Sequence, residues 1–211
     1  MGKNRRHMKK YLPLLFMICA GVVRAQSGEI WVDAGASIFA NKAIGATDPA
    51  GDPSDVQLDN GFRVGLRLAL NSSRHFGHEF QYAYNHSTLH DTTGNILPND
   101  TSAGMGINQL GYNLLYYFKP TNENAKARPF VTLGVHLSDF VLPYAATLHS
   151  DSFKFGVNYG GGMKFKISPL FGWRFDVRMY DTGKPNWSDL LKKQSGILNQ
   201  LEASVGFGFY F

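Results

Sequence analysis

The chain has 211 residues, 44% hydrophobic and 14% aromatic, with 18% charged residues and 23 glycines. A composition this aromatic and this poor in charge excludes disorder, and no apolar run reaches the roughly 18–20 residues a spanning helix needs. The net charge of +5 suggests a nucleic-acid partner, but the N-terminal segment removes that reading.

Met1–Lys10 carries Lys3, Arg5, Arg6, Lys9 and Lys10 and no acid; 13 apolar residues follow, Tyr11–Val23, and then Val23-Arg24-Ala25. A basic start, a short apolar stretch and a small-x-Ala site are the three parts of a secretory signal peptide, so residues 1–25 are expected to be removed. Cleavage takes six of the 21 Lys and Arg and none of the 16 Asp and Glu, turning +5 into −1. A basic surface for phosphate backbones is then gone, and nucleic acid is excluded as a partner. Cys19 is the only cysteine and leaves with the signal. The exported chain therefore has neither disulfides nor thiolate metal sites.

From Glu29 onward the apolar residues alternate, which is the strand period. Eight segments are predicted: 29–40, 60–70, 76–86, 105–118, 129–142, 153–167, 170–180 and 199–211. Phe62, Val64, Leu66, Leu68 and Leu70 share one face of the second, opposite Arg63 and Arg67. In the last, Leu201, Val205, Phe207, Phe209 and Phe211 stand opposite Glu202 and Ser204. Most segments have 11–15 residues, whereas soluble strands have about 5–6 and a tilted bilayer-crossing strand about 9–11. The apolar face is too aromatic to fit inside eight strands, while the other mixes glycine and serine with charge. The large face therefore points outward, against the soluble lipocalin-like alternative. Short connections (Asn71–Arg74, Lys119–Arg128, Ser168-Pro169) alternate with long polar ones at 41–59, 87–104, 143–152 and 181–198. This is the pattern of bacterial outer-membrane barrels with short periplasmic turns and long external loops. It predicts an all-β, eight-stranded antiparallel up-and-down barrel over 26–211, a single domain with both termini in the periplasm.

Signal, eight long alternating strands and a terminal aromatic together resemble the small outer-membrane β-barrel family, whose relatives include the transmembrane domain of outer membrane protein A and outer membrane protein X. The resemblance covers essentially all of 28–211. It implies that Val205, Phe207, Phe209 and Phe211 form the C-terminal sorting signal read by the barrel-assembly machinery. It also implies residence among outer-membrane lipids and lipopolysaccharide, with loops free to meet a surface partner.

The inward face is expected to collect Asp33, Arg63, Arg67, Glu79, Lys154, Lys164, Lys166, Arg174, Asp176, Arg178 and Glu202. Unpaired charge in a narrow lumen is costly, so these side chains are expected to form a pairing network, with Glu202 beside Arg174, Asp176 and Arg178. Seven cations against four anions predict an anion preference for any conductance. Tyr116, Tyr117, Phe118, Phe130, Phe171 and Trp173 are expected as an interfacial aromatic girdle.

The chemistry-bearing motifs are sparse. His136 and Ser138 share the inward face of the fifth strand, and such a pair with a carboxylate could activate a serine. Lipid A deacylases, however, carry His-x-Ser on the seventh strand, where Arg178-Met-Tyr-Asp-Thr-Gly has neither residue. His86 and His90 are spaced to share a metal only on a helix, and Gly160-Gly161-Gly162 lacks the Lys-Ser/Thr of a phosphate loop. The expectation is a non-enzymatic outer-membrane protein without cofactor or metal, acting structurally or through its loops. A small, weakly conducting anion channel is the alternative, and a lipid A-modifying enzyme stands behind both.

Overall fold

The computed structural model describes residues 27–97, 101–120, 125–143, 151–185, 187, 191–192 and 196–211; the expected signal peptide lies outside them. Ten strands are formed: β1 (Ser27–Phe39), β2 (Ala43–Gly45), β3 (Val56–Leu58), β4 (Gly61–Asn71), β5 (Phe76–Asp91), β6 (Ser102–Tyr117), β7 (Ala127–Val141), β8 (Asp151–Lys166), β9 (Phe171–Gly183) and β10 (Ile197–Tyr210). Eight of them close a barrel. Antiparallel pairing runs β5-β4-β1-β10-β9-β8-β7-β6, and β6 returns to β5. Closure gives each barrel strand a partner on both sides, the condition that lets a sheet stand in lipid.

The strand period sets the wall. Ile30, Val32, Val64, Leu66, Leu133, Phe155, Phe175, Val177 and Phe207 are all exposed on the outside, while their neighbours in sequence are buried or half-buried. Barrel strands run from 11 residues in β4 to 16 in β5, β6 and β8. Three connections are short, and the described ends of β1 and β10 lie at the same end as those turns, where Gly28 and Phe211 exchange main-chain bonds of 2.8 and 2.9 Å. This is termed the turn end, and the opposite one the loop end.

Two elements differ from the sequence expectation. The segment 41–59, expected as an irregular loop, holds the β2–β3 hairpin, and β5 runs five residues beyond its expected end at 86. The two differences have one cause. β3 takes over from β4 as the neighbour of β5, pairing Leu58 with Leu89 and Val56 with Asp91. The alternation continues there, with Ser87, Leu89 and Asp91 buried, but the other face is polar, Thr88 and His90, because it stands beyond the apolar band.

Candidate functional site: a paired-charge lumen beneath an apolar cap

The inside of the barrel is layered. At the turn end Glu29 is the centre. Its two oxygens accept from Lys164, from Trp31 Nε1 at 2.8 Å, from Asn71 Nδ2 at 2.8 Å and from Arg128 Nη1 at 3.4 Å. Lys164 also donates to the Tyr117 hydroxyl at 2.8 Å, and the Arg128 guanidinium lies 4.1 Å from that ring centroid. Tyr117 and Phe130, expected in the lipid-facing girdle, are buried in this layer. Tyr116, Phe118 and Trp173 do face outward.

The next layer is an ionic belt. Arg67 holds Asp33 through Nε at 2.7 Å, bonds Glu202, and stands 3.6 Å from Glu79. Across the lumen Glu79 also accepts from Arg174 at 2.5 Å and Arg178 at 2.9 Å. Asp176 accepts from those same two arginines, at 3.0 Å from Arg178 Nε. Gln81 bridges, accepting from Arg67 at 3.0 Å and Arg178 at 3.2 Å. Above it a neutral layer links Gln109, Gln200, Asn85, Ser37 and Ser138 by bonds of 2.7–3.2 Å, with Arg63 donating to Gln109 at 2.5 Å and to the Tyr180 hydroxyl at 3.1 Å.

Glycine makes this filling possible. A Cβ at Gly65 would stand 2.7 Å from Asp33 Oδ1, and one at Gly208 would stand 2.4 Å from the Trp31 ring. Gly65 and Gly208 are therefore covered by side chains lying across them from a neighbouring strand.

The structure brings together Asp33, Arg63, Arg67, Glu79, Lys164, Arg174, Asp176, Arg178 and Glu202 inside the wall, all at 3% exposure or less. It separates Lys154, which is half-buried toward the loop end with no ion partner among the described residues, and Lys166, which is exposed. Glu202 lies opposite Arg178 in the β9–β10 register, but its ion partners are Arg63 at 3.2 Å and Arg67, both on β4. The expected charge count also changes. Arg128 and Glu29 join the buried set, as does Asp91 near the loop end, so the described residues hold six buried Lys and Arg and six buried carboxylates. No excess of three cations remains.

A second core closes the loop end. Phe39, Leu89, Met105, Ile107, Phe140 and Leu198 point inward from strand ends and pack with Ile44, Val56, Leu58, Ile96, Leu97, Leu142, Trp187 and Leu191 from the hairpin and loops. The buried Asp91 carboxylate ties the 91–97 loop down, accepting from the amides of Thr93 at 2.9 Å, Ile96 at 2.6 Å and Leu97 at 3.0 Å. Gly94 turns the chain there at φ 70°, which favours glycine. Outside this core, Asp59 holds Lys42 at 2.5 Å and His90 at 2.7 Å. Chiefly the Lys42 bond, and next the His90 bond against a small desolvation penalty, hold the Asp59 carboxyl below the usual aspartate range.

The His136–Ser138 pair is not assembled for nucleophilic chemistry. His136 Nε2 pairs with Thr182 Oγ1 at 2.7 Å, while Ser138 Oγ accepts from Gln109 at 3.2 Å. His86 lies against the Phe62 and Tyr84 rings, and His90 against Asp59. Among the described residues no group of three or more His, Cys, Asp or Glu could hold a metal ion.

A closed, all-antiparallel eight-stranded barrel with lipid-type side chains outside and paired charge inside defines a transmembrane barrel of outer-membrane type. The chain belongs to the outer membrane protein β-barrel domain family, whose sequence signature matches residues 12–211. No curated protein matches the sequence. Among solved structures it is similar to neisserial surface protein A (TM-score 0.57, 15% identity, 87% of this chain and 97% of that one). It is similar also to AlkL in lipid bilayers (0.55, 13%, 89% and 91%) and to OprG from Pseudomonas aeruginosa (0.53, 17%, 87% and 96%). At such identities the likeness is one of fold.

Proposed function

We propose that this is a closed outer-membrane barrel with a structural or surface-interaction role carried by its loop end. In this reading the signal peptide is removed after Ala25, the turn end and both strand termini face the periplasm, and the loops face outward among lipopolysaccharide. The observation that carries it is the double closure of the lumen. An ionic belt spans it, and a separate apolar cap fills its loop end. Moving a solute through would require separating buried ion pairs, at several kcal/mol per uncompensated ion. The unassembled His136–Ser138 pair supports a non-enzymatic role.

Refolded protein in planar bilayers tests the reading: closed or brief, small conductance is expected. Large, stable channels would overturn it. Among the described inward side chains of the barrel strands, Lys154 is a half-buried cation without an ion partner, so Lys154→Gln should lower any anion preference that is measured.

The sorting role of Val205, Phe207, Phe209 and Phe211 belongs to the same reading. The outward placement of Val205, Phe207 and Phe209 on β10, with Phe211 just past its end and bonded through its main chain to Gly28, fits a segment recognised before closure. Phe211→Asp should block assembly in cells while the variant still refolds in detergent. Normal amounts of membrane-embedded, heat-modifiable barrel would refute the role.

A further inference from the structure

On the inner face, one row of the wall reads Glu79, Asn113, Gly134, Asn158 and Tyr180 across β5 to β9. Thr132 and His136 are the next inward positions on either side of Gly134 on β7, and they pair with Gly160 and Gly156 on β8. Asn113, Thr132, His136 and Asn158 are all at 5% exposure or less. Five of their polar atoms have no hydrogen-bond partner among the described residues: Asn113 Oδ1, Thr132 Oγ1, His136 Nδ1, and both Nδ2 and Oδ1 of Asn158. The bonds that are made fix how two of these side chains lie. Asn113 Nδ2 donates to Glu79 Oε1 at 3.2 Å, and the Asn113 carbonyl leans over Gly134, where a Cβ would collide with it. His136 pairs through Nε2 with Thr182, and its ring lies over Gly156, 2.5 Å from where a Cβ would stand. Both lean toward Asn158, which pairs with Gly134 and follows Gly156 by two positions. Exchanging the Asn158 amide oxygen and nitrogen changes nothing, because both are unpartnered.

We propose that Asn113, Thr132, His136 and Asn158 form an internal hydration site that holds about two water molecules, each with about three partners. Buried polar groups are almost always bonded to protein or to ordered water, and five such atoms around one glycine call for a shared occupant. Their chemistry selects water over an ion. An anion needs donors alone and a cation acceptors alone. Here Asn158 Nδ2 only donates, Asn113 Oδ1 and Asn158 Oδ1 only accept, and the Thr132 hydroxyl does both. Room comes from Gly134, Gly156 and Gly160, which add no side chain to this part of the inner face. The site is enclosed: Tyr117 and Phe130 lie toward the turn end, and the apolar cap with Phe140 lies toward the loop end. It therefore wets one side of the lumen without opening a path through it.

Solid-state NMR on the refolded protein in lipid bilayers, with magnetisation transferred from water protons to side-chain amides, supplies the test. Transfer to the Asn158 amide is expected. The equally buried Asn85 is the control, because its amide donates to Gln109 at 3.1 Å and its carbonyl accepts from Gln200 at 3.0 Å; no transfer is expected there. Thr132→Val removes one hydroxyl and keeps the side chain's shape, and should lower transfer to Asn158 roughly threefold or more, the equivalent of one hydrogen bond. Equal transfer to the Asn158 and Asn85 amides, whether present or absent, overturns the site. Undiminished transfer in Thr132→Val overturns the shared cluster. Replacing sodium chloride with rubidium bromide should leave the Asn158 amide resonances where they are, and a shift that follows the salt would put an ion in place of water and overturn the choice of occupant.

Discussion

The ionic belt and the apolar cap both fill the same lumen, yet they are built from different parts of the chain and by different forces. Belt residues sit in mid-strand, where the ladders on both sides fix each Cα, so every guanidinium meets carboxylates held in place by the wall. More than half of the cap's side chains come from the β2–β3 hairpin and the loops, which pack onto strand ends without any ion pair in the apolar cluster. Loosening the belt exposes unpaired charge, whereas lifting the cap exposes mainly apolar area, with the Asp91 carboxylate as its one buried charge among the described residues. The cap is therefore the part of the plug able to move on its own, as expected of elements with fewer ladder bonds.

The largest difference should come from Glu79→Ala. Glu79 faces Arg67, Arg174 and Arg178, and breaking one side of a buried pair costs about 3–5 kcal/mol. The denaturant midpoint of the refolded barrel should drop accordingly; an unchanged midpoint would mean that the belt is hydrated and dispensable.

Leu97→Ala should cost somewhat less, about 2–4 kcal/mol for a buried leucine, and the loss should be local. Faster proteolysis of the 91–97 loop with little change in the global midpoint is expected. A full-sized global shift would show cap and belt unfolding as one unit. Asp91→Ala attacks the same loop through its hydrogen bonds. Leaving the Thr93 amide and the buried Ile96 and Leu97 amides without their acceptor costs about 1–3 kcal/mol in total if the loop detaches to rehydrate them, again read by proteolysis.

The smallest effect is that of pH on the cap's outer edge. Asp59 has a folded-state pKa below its unfolded value, so its bonds to Lys42 and His90 contribute stability that is fully present above the ordinary aspartate pKa of about 3.9. That contribution is lost as pH falls through the lower folded value. Amide exchange around Lys42 and Asp59 should therefore quicken on acidification below that range, and Asp59→Asn should remove the dependence. Equal pH dependence in the variant would assign the effect elsewhere.

Much of the belt was legible because a period of two needs no knowledge of partners: parity alone put Asp33, Arg67, Glu79, Arg174, Asp176 and Glu202 inside. Which of them touch was not legible. Glu202 reaches β4 rather than its register neighbour Arg178, because contacts across a lumen depend on strand tilt and side-chain length, which no single strand records. Arg128 and Glu29 were missed at strand ends, where the first residues read equally well as turn. Trp31, Tyr117 and Phe130 broke the rule that aromatics face lipid, since opposite glycines such as Gly208 and Gly162 make room for a ring. The cap was hidden for a different reason. Ile44, Val56, Leu58, Ile96 and Leu97 are scattered singly among Asp, Pro, Asn and Gly, and a core assembled from such fragments has no period.

The seam between β1 and β10 has a consequence in time. Val32 pairs with Phe207, and Gly28 with Phe211, so the contacts that complete the wall join residues about as far apart in sequence as this barrel allows. Such contacts form late, after the entropy of closing a very long loop has been met. Until then β1 and β10 are open edges, able to pair with any other extended chain. The interval between export and closure is therefore the hazardous part of this protein's life, and its length is set by the slowest strand to arrive rather than by the strength of the finished barrel.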